Sequence, residues 1–367
     1  MDPTWLSNRT AIAGIGATEF SKDSGRSEMQ LAVEAIRAAL GDAGLEPEDV
    51  DGLVSFTVDG NAETEIARNL GIPALTFFSR IGFGGGAAGA VIQQAAMAVA
   101  SGVARTVVVY RALNERSGNR FGAGVHDKRQ STSPGPEAAV FSWYLPFGLV
   151  TPAAWVAMCA TRYMHEFGAA SEDFGRVAVA ARRHAATNPA AWFHGKPITL
   201  ADHQASRWIV EPLHLLDCCQ ESDGAVAVVV VSAEHARDLR QPPALITAAA
   251  QGSGPDQHAM TSYYRDSIVG LPESGIVARQ LWEMSGLGPR DIRTAILYGH
   301  FAPFVLAKLE DFVFCARGEA YIHSMNGVAE GVRQVRGTAV NQIPDVAHVL
   351  VTAGTGVPTS GLILGRG

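Results

Sequence analysis

Cysteine is scarce in this chain: four residues in 367, Cys159, Cys218, Cys219 and Cys315. They form no Cys-x-x-Cys pair and have no histidines at zinc-site spacing, so neither a disulfide framework nor a structural metal site is expected. Reduced thiols in a cytoplasmic protein are the simplest reading. Long hydrophobic runs are missing too. Apolar stretches such as Ala225–Ser232 have strand length, far below the roughly 18 residues that a membrane span needs. Basic runs stop at Arg182-Arg183, and the formal net charge is −7, so nucleic acid is not an expected partner. Met1–Arg9 is short and polar, with Asp2 and Pro3 where a basic region would sit, so no secretory signal is expected.

What is present suits a globular protein with a sizeable core: 47% hydrophobic and 18% charged residues, at a length that fits two units or one duplicated one. Thr10–Gly16, Gly52–Phe56, Thr106–Tyr110, Ala225–Val231 and Ala295–Tyr298 read as strands. Most are apolar and β-branched without strict alternation, as in strands covered on both faces. Ser27–Leu40 reads as an amphipathic helix ending at Gly41, and Gln130–Glu137 as a loop. Helices between such strands indicate an α/β layered protein.

An internal echo divides the chain. Ala43-Gly-Leu-Glu-Pro-Glu-Asp-Val50 and Ser285-Gly-Leu-Gly-Pro-Arg-Asp-Ile292 place Gly44/Gly286, Leu45/Leu287, Pro47/Pro289 and Asp49/Asp291 at one offset of 242 residues. In each, the glycine ends a helix, the proline prevents its continuation and the Asp-Val/Ile pair leads into a strand. Two similar halves are expected, 1–244 and 245–367, with an inserted region at about 112–215 in the first.

Gly82-Phe-Gly-Gly-Gly-Ala-Ala-Gly89 precedes a small-residue helix, Ala90–Ala100. Such a turn can cradle a phosphate or an oxyanion through backbone N–H groups. Gly84, Gly86 and Gly89 match a dinucleotide spacing, but the context is the wrong strand and no acid follows until Glu115. Close helix packing is the plainer alternative.

Several motifs together resemble the thiolase superfamily, especially its sterol-carrier-protein branch. They are Ser171–Val179, Arg182-Arg-His184, Asn188-Pro189, Pro212-Leu213, Asp217-Cys218 and Ser222–Ala225, followed by Tyr298-Gly-His-Phe301, Phe314-Cys-Ala-Arg-Gly-Glu319, Gln334-Val-Arg-Gly337 and Gly354-Thr-Gly356. The resemblance runs from about Ala11 to Leu364. It implies a five-layered αβαβα fold of two similar halves, and a dimer that buries a strand edge. Thiolases place a nucleophilic cysteine at the N-terminus of a buried alanine-rich helix. Here that position falls at Gly84 or Gly85, Thr352 or Ala353 stands near the place of the last cysteine, and Tyr298 opens the third motif. An acyl-enzyme is therefore not expected.

This pattern resembles the lipid-transfer-protein-like aldolases of bacterial steroid side-chain degradation. The resemblance implies retro-aldol cleavage of a β-hydroxyacyl-CoA steroid to a 17-ketosteroid and propionyl-CoA, with no cofactor beyond the CoA of the substrate. It also implies a homodimer within a heterocomplex whose partner is an OB-fold domain of a hydratase subunit. Two rivals are a thiolase with a displaced cysteine and a non-catalytic lipid-binding subunit of that complex. The resemblance further implies about 25 residues, in an active-site loop, between Glu319 and Tyr321, where this sequence has Ala320 alone. A true deletion and a closed-up sequence are the alternatives, distinguished by the Cα–Cα spacing at that junction.

A retro-aldol step needs a base for the β-hydroxyl, stabilisation of the thioester enolate and a proton for its α-carbon. Tyr298 and Tyr321 are the candidates for proton transfer, in either order. His300 and His323 each lie two positions from a tyrosine; on a continuing strand, His300 would share a face with Tyr298. Gly84, Gly85, Gly354 and Gly356 could donate backbone N–H groups to the thioester oxygen. Asp223 is expected to shape a loop, His348 to be structural, and Cys218 and Cys219 to fill core space. Tyr263-Tyr264-Arg265 could line a steroid entrance or a subunit contact.

Overall fold

The apolar runs become the strands of one mixed sheet. The computed structural model describes residues 2, 4–56, 60–82, 85–118, 120, 142–257, 263, 265–320, 328–354 and 359–367. Its strands are β1 (Thr10–Ala17), β2 (Gly52–Phe56), β3 (Phe77–Ile81), β4 (Thr106–Asn114), β5 (Trp208–Val210), β6 (Leu213–His214), β7 (Asp223–Ser232), β8 (Ala244–Gly252), β9 (Thr294–Ile296), β10 (His348–Ala353) and β11 (Thr359–Arg366). The α-helices are α1 (Glu28–Ala43), α2 (Glu63–Leu70), α3 (Ala88–Ala100), α4 (Pro152–Phe167), α5 (Ser171–Thr187), α6 (Leu200–Ala205), α7 (Ala233–Ala236), α8 (Pro272–Ser285), α9 (Ala302–Asp311) and α10 (Val328–Arg336). None of the described helices is long and apolar enough to cross a membrane.

The sheet order is β3-β2-β4-β7-β1-β8-β11-β10-β9. β1 and β8 meet over just two residue pairs, Ala11 with Leu245 and Ile12 with Ala244, so five strands of the first half join four of the second at a short seam. Alternation along the valine strands explains the layering. Val107, Val109, Val228 and Val230 face a core shared with α3, α10 and the second-half strands, whereas Val108, Val229 and Val231 face α1 and α2. α8 covers the other face of the second half, against Ala248, Ala250, Leu350 and Ile363. Helices thus lie outside each part of the sheet and between the two parts, the layering that the resemblance implied.

The echo is structural as well. Gly44 caps α1 at φ 79° and Gly286 caps α8 at φ 69°, the left-handed region that glycine tolerates. Each is followed by a single 3₁₀ turn, Pro47–Asp49 or Pro289–Asp291, and then by β2 or β9. Asp49 accepts from the N–H of Glu46 at 2.9 Å, and Asp291 from that of Gly288 at 2.8 Å.

Several boundaries differ from the sequence expectation by a few residues, three of them instructively. α1 continues through Gly41 to Ala43, because Ala43 is buried on its inner face. β4 extends to Asn114, held by pairing with β7 up to Asp223. β9 stops at Ile296, so Tyr298 follows the strand instead of ending it. Residues 152–217 add a further core, in which α4 and α5 pack with α9 around Phe174, Phe301 and Phe304. Residues 130–137 lie outside the described ones.

Candidate active site

The chain leaves β9 through a tight bend. Gly299 is required there, since a Cβ at that position would lie 2.4 Å from Val305 Cγ2. The bend is pinned from two sides: the Tyr298 N–H donates to Thr352 Oγ1 at 3.0 Å, and the Tyr298 C=O accepts from Lys308 Nζ at 2.7 Å. Thr352, near the place of a lost thiolase cysteine, thus serves as a backbone acceptor. The rings of Tyr298 and His300 stack, with centroids 5.1 Å apart and planes at 21°. Phe304 also stacks on His300, at 5.2 Å and 24°. The two residues therefore share a face through ring stacking rather than through strand register.

The Tyr298 side chain keeps 37% of its surface accessible, yet protein surrounds it closely enough for desolvation to raise the phenol above its ordinary 10.0. The exposed part of this ring forms one wall of the candidate site. The negative potential of Cys219 and Glu115 adds to the rise, and Arg111 opposes it. The phenol is therefore protonated at neutral pH. His300 is pushed down to about 3, by burial first and then by Lys308, so its imidazole is neutral.

A second strand of chain reaches this wall from the first half. The Cys219 N–H donates to the His300 C=O at 2.8 Å, and Cys218 bridges Phe301. Cys218 is half-buried and packs against the core around Phe174 and Phe301, as expected, whereas Cys219 is exposed. Both thiols are pushed up to about 12. Desolvation is the main cause, aided by Asp217 at Cys218 and by Glu115 and Glu221 at Cys219. Cys219 is thus open to solvent on one side and surrounded by protein and carboxylates on the other. Glu115, half-buried just past β4, is raised to about 6 by burial, against the pull of Arg111.

The approach of Cys218 and Cys219 is fixed by a buried polar knot. His203 Nε2 and Asp217 Oδ1 lie 2.8 Å apart with both side chains fully buried, and Asp217 Oδ2 accepts from the His214 N–H at 2.8 Å. Asp223 shapes the turn after β4, as expected, by accepting from the N–H groups of Ser24, Arg116 and Ser117. Below the bend, α9 ends in Glu310 and Asp311. Glu310 accepts from Tyr163 Oη and from the Gly318 N–H, and Asp311 from the Leu271 N–H; Arg317 bridges both carboxylates.

The glycine positions divide. Gly354 follows β10 at φ 79°, two residues beyond the Thr352 that holds Tyr298. Gly85 opens a 3₁₀ turn before α3. Ser360 Oγ donates to the neighbouring Gly86 C=O and accepts from the Gly89 N–H at 2.9 Å, and Ser360 pairs with Ala353. The glycine turn, the end of β10 and Tyr298 therefore converge at one end of the sheet. Gly89 itself is a close-packing glycine, since its Cβ would lie 2.8 Å from the Gly361 nitrogen. Tyr321, His323, Gly84, Gly356 and Tyr264 lie outside the described residues. His348 begins β10, which β11 follows, and Tyr263 packs edge-on against Tyr144 with centroids 5.5 Å apart. Sequence reasoning missed Glu115, Arg111, Cys219 and Lys308 as neighbours of Tyr298; a lone lysine in the apolar run Ala302–Leu309 was the one visible signal.

No protein-family model matches the chain. Among curated proteins, a steroid side-chain-cleaving aldolase from Thermomonospora curvata is 64% identical over 387 residues, covering 98% of each chain. The chain belongs to the steroid side-chain-cleaving aldolases of the thiolase superfamily. A second relative of this aldolase, the 17-hydroxy-3-oxo-4-pregnene-20-carboxyl-CoA lyase of Mycobacterium tuberculosis, is 59% identical over 98% of this chain and 100% of its own. A solved Ltp2–ChsH2(DUF35) aldolase superposes with a TM-score of 0.92 at 63% identity, over 98% of both chains. Human mitochondrial 3-ketoacyl-CoA thiolase, at 17% identity and a TM-score of 0.69 over 98% of both chains, shares the fold. Both curated alignments span 387 residues, more than the 367 of this aldolase, so the relatives carry residues that it lacks. The junction after Ala320 adjoins 321–327, outside the described residues.

Proposed function

We propose that this aldolase cleaves a steroid acyl-CoA of the 17-hydroxy-pregnene-carboxyl type into a 17-ketosteroid and propionyl-CoA. The names of the two closely similar relatives support the substrate class. The observation that carries the chemistry is a protonated phenol at Tyr298 beside thiols held at about 12: the wall offers a proton donor and no ready sulfur nucleophile.

In the reaction, a base takes the proton of the β-hydroxyl and the C–O bond becomes a carbonyl. The bond between the β- and α-carbons breaks, its electron pair passes to the thioester enolate, and the α-carbon is then protonated. The reaction is redox-neutral and moves one proton from oxygen to carbon, so it asks for no cofactor beyond the CoA that the substrate carries. Tyr298 is assigned the donor role, because a desolvated phenol holds its proton until charge develops on the enolate. His300, neutral and stacked, orients the ring. Tyr321 is proposed as the base of this scheme, with His323 two positions on in the sequence as a further candidate, and Gly84, Gly85, Gly354 and Gly356 are the proposed donors to the thioester oxygen.

The partner is proposed to be the OB-fold (DUF35) domain of a hydratase subunit, by likeness to the solved aldolase complex. The complex is proposed to be cytoplasmic and to contain a homodimer formed along β3, an edge strand with Phe78 58% exposed.

The test is product analysis by mass spectrometry, with a steroid thioester bearing a tertiary β-hydroxyl and the partner domain present. Propionyl-CoA plus the ring ketone, with no acyl group on the protein, is expected. Tyr298→Phe is expected to lose about 10²–10⁴ in kcat with its fold intact. An acyl adduct on a thiol would turn the assignment to a thiolase, and ligand binding without cleavage would turn it to a binding subunit.

A further inference from the structure

Lys308 is fully buried on α9 and has no ion pair among the described residues. The carboxylates nearest to it in sequence, Glu310 and Asp311, are engaged by Arg317, Tyr163 and backbone N–H groups instead. Its amine donates to the Tyr298 C=O at 2.7 Å and lies 5.0 Å from the centre of the Tyr298 ring. Taking a lysine head group out of water is unfavourable unless its hydrogen bonds are met inside, and here the bond is spent on the backbone of one residue.

We propose that Lys308 is a positioning residue for Tyr298: with Thr352 on the N–H and Lys308 on the C=O, both peptide planes of the residue are fixed and the ring is aimed along the wall. The consequence follows from local geometry. Gly299, next in the chain, has no side chain to restrain the bend, and β9 has already ended, so no ladder hydrogen bond holds Tyr298. The stacking of His300 fixes the ring's tilt but not the height of its hydroxyl. The amine on the carbonyl supplies that remaining restraint. The inference rests on the reading of Tyr298 as the proton donor.

The experiment compares Lys308→Met, which keeps an unbranched stem and loses the donor, with Lys308→Gln, which keeps a donor at the reach of that methionine, each in the complex with the partner domain. Lys308→Met is expected to lower kcat by about 10–100-fold, the scale of a misplacement of about 1 Å, with KM within about twofold. Lys308→Gln is expected to recover most of that loss. In a Tyr298→Phe background, Lys308→Met is expected to lower the residual rate no further, because the group it positions is gone.

Wild-type kcat in a folded Lys308→Met variant would overturn the proposal, as would a loss that multiplies in full with that of Tyr298→Phe. Should Lys308→Met fail to fold, Lys308→Gln decides: a raised KM at unchanged kcat would overturn the positioning role, and a modest fall in kcat at unchanged KM supports it. An inactive Tyr298→Phe beside an unimpaired Lys308→Met sinks the lysine assignment alone. A fully active Tyr298→Phe sinks the tyrosine reading, and the lysine with it.

Discussion

The thiol of Cys219 offers a direct decision between lyase and acyltransferase chemistry. It is accessible and adjoins the Tyr298 wall, as a displaced nucleophile would, yet it is pushed up from 9.0 to about 12. At pH 7 this leaves about a thousandfold fewer thiolates than an ordinary cysteine carries. A more basic thiolate is intrinsically more nucleophilic, with a Brønsted slope of ~0.4–0.5, which returns a factor of about 20. The balance is an exchange rate about fifty-fold below that of an unperturbed thiol. The assay is reaction with 5,5′-dithiobis(2-nitrobenzoate), comparing the folded protein with its Cys219→Ser variant and with the urea-unfolded chain. The rate assigned to Cys219 should be slow at pH 7 and still climb about tenfold per pH unit beyond pH 9, where an ordinary thiol levels off. Cys219→Ser should retain retro-aldol turnover. A fast reaction at pH 7, blocked by steroid thioester and abolishing turnover, would refute the reasoning and restore the displaced-nucleophile reading.

Glu115 gives a pH-dependent stability. Its carboxyl is raised from 4.5 to about 6, so the stability tied to its protonated form is fully present below 4.5 and is lost as pH rises through 6. The difference corresponds to ~2 kcal/mol, which screening at this half-buried site reduces to ~1 kcal/mol. Glu115→Gln should therefore melt higher than wild type at pH 8 and level with it at pH 4; an equal gain at both values would refute the assignment. Asp217→Ala, which strips the partner from buried His203, should cost ~3 kcal/mol in urea unfolding, and a loss below ~1 kcal/mol would show that the knot is not under strain of burial. The proton-donor test of Tyr298→Phe and the Lys308 pair complete the set.

How much of this was legible depends on how far apart in the chain the interacting groups lie. Gly52–Phe56 reads correctly because its signal is local: a short apolar run bounded by turns. β4 outran its apolar run because Arg111 and Asn114 are held by pairing with β7, over a hundred residues away. The two helix-stop motifs were readable because capping chemistry is itself local, and both appear as a left-handed glycine cap, a 3₁₀ turn and a strand. The Tyr298–His300 pair was visible as neighbours in sequence, although the stack arises from a bend that Gly299 permits and strand register does not. Cys219, Glu115 and Lys308 were not legible as a set. Their proximity is set by a Cys219–His300 backbone bond, the turn folded by Asp223, and the packing of α9, none of which leaves a pattern in the residues themselves.

The end of α9 has a mechanical implication. One helix of ten residues holds the bend that carries Tyr298 through Lys308, and through Glu310 and Asp311 it grips Arg317 and Gly318, on the stretch that runs toward Tyr321. Between the halves, β1 and β8 pair over two residue pairs, and α3 packs into a core that both halves share. The helix and the two stretches that it holds lie within residues 298–318, and Tyr163 and Cys219 of the first half anchor them as well. The separation between the Tyr298 bend and the Arg317–Gly318 turn is then gauged by the rise of a single helix.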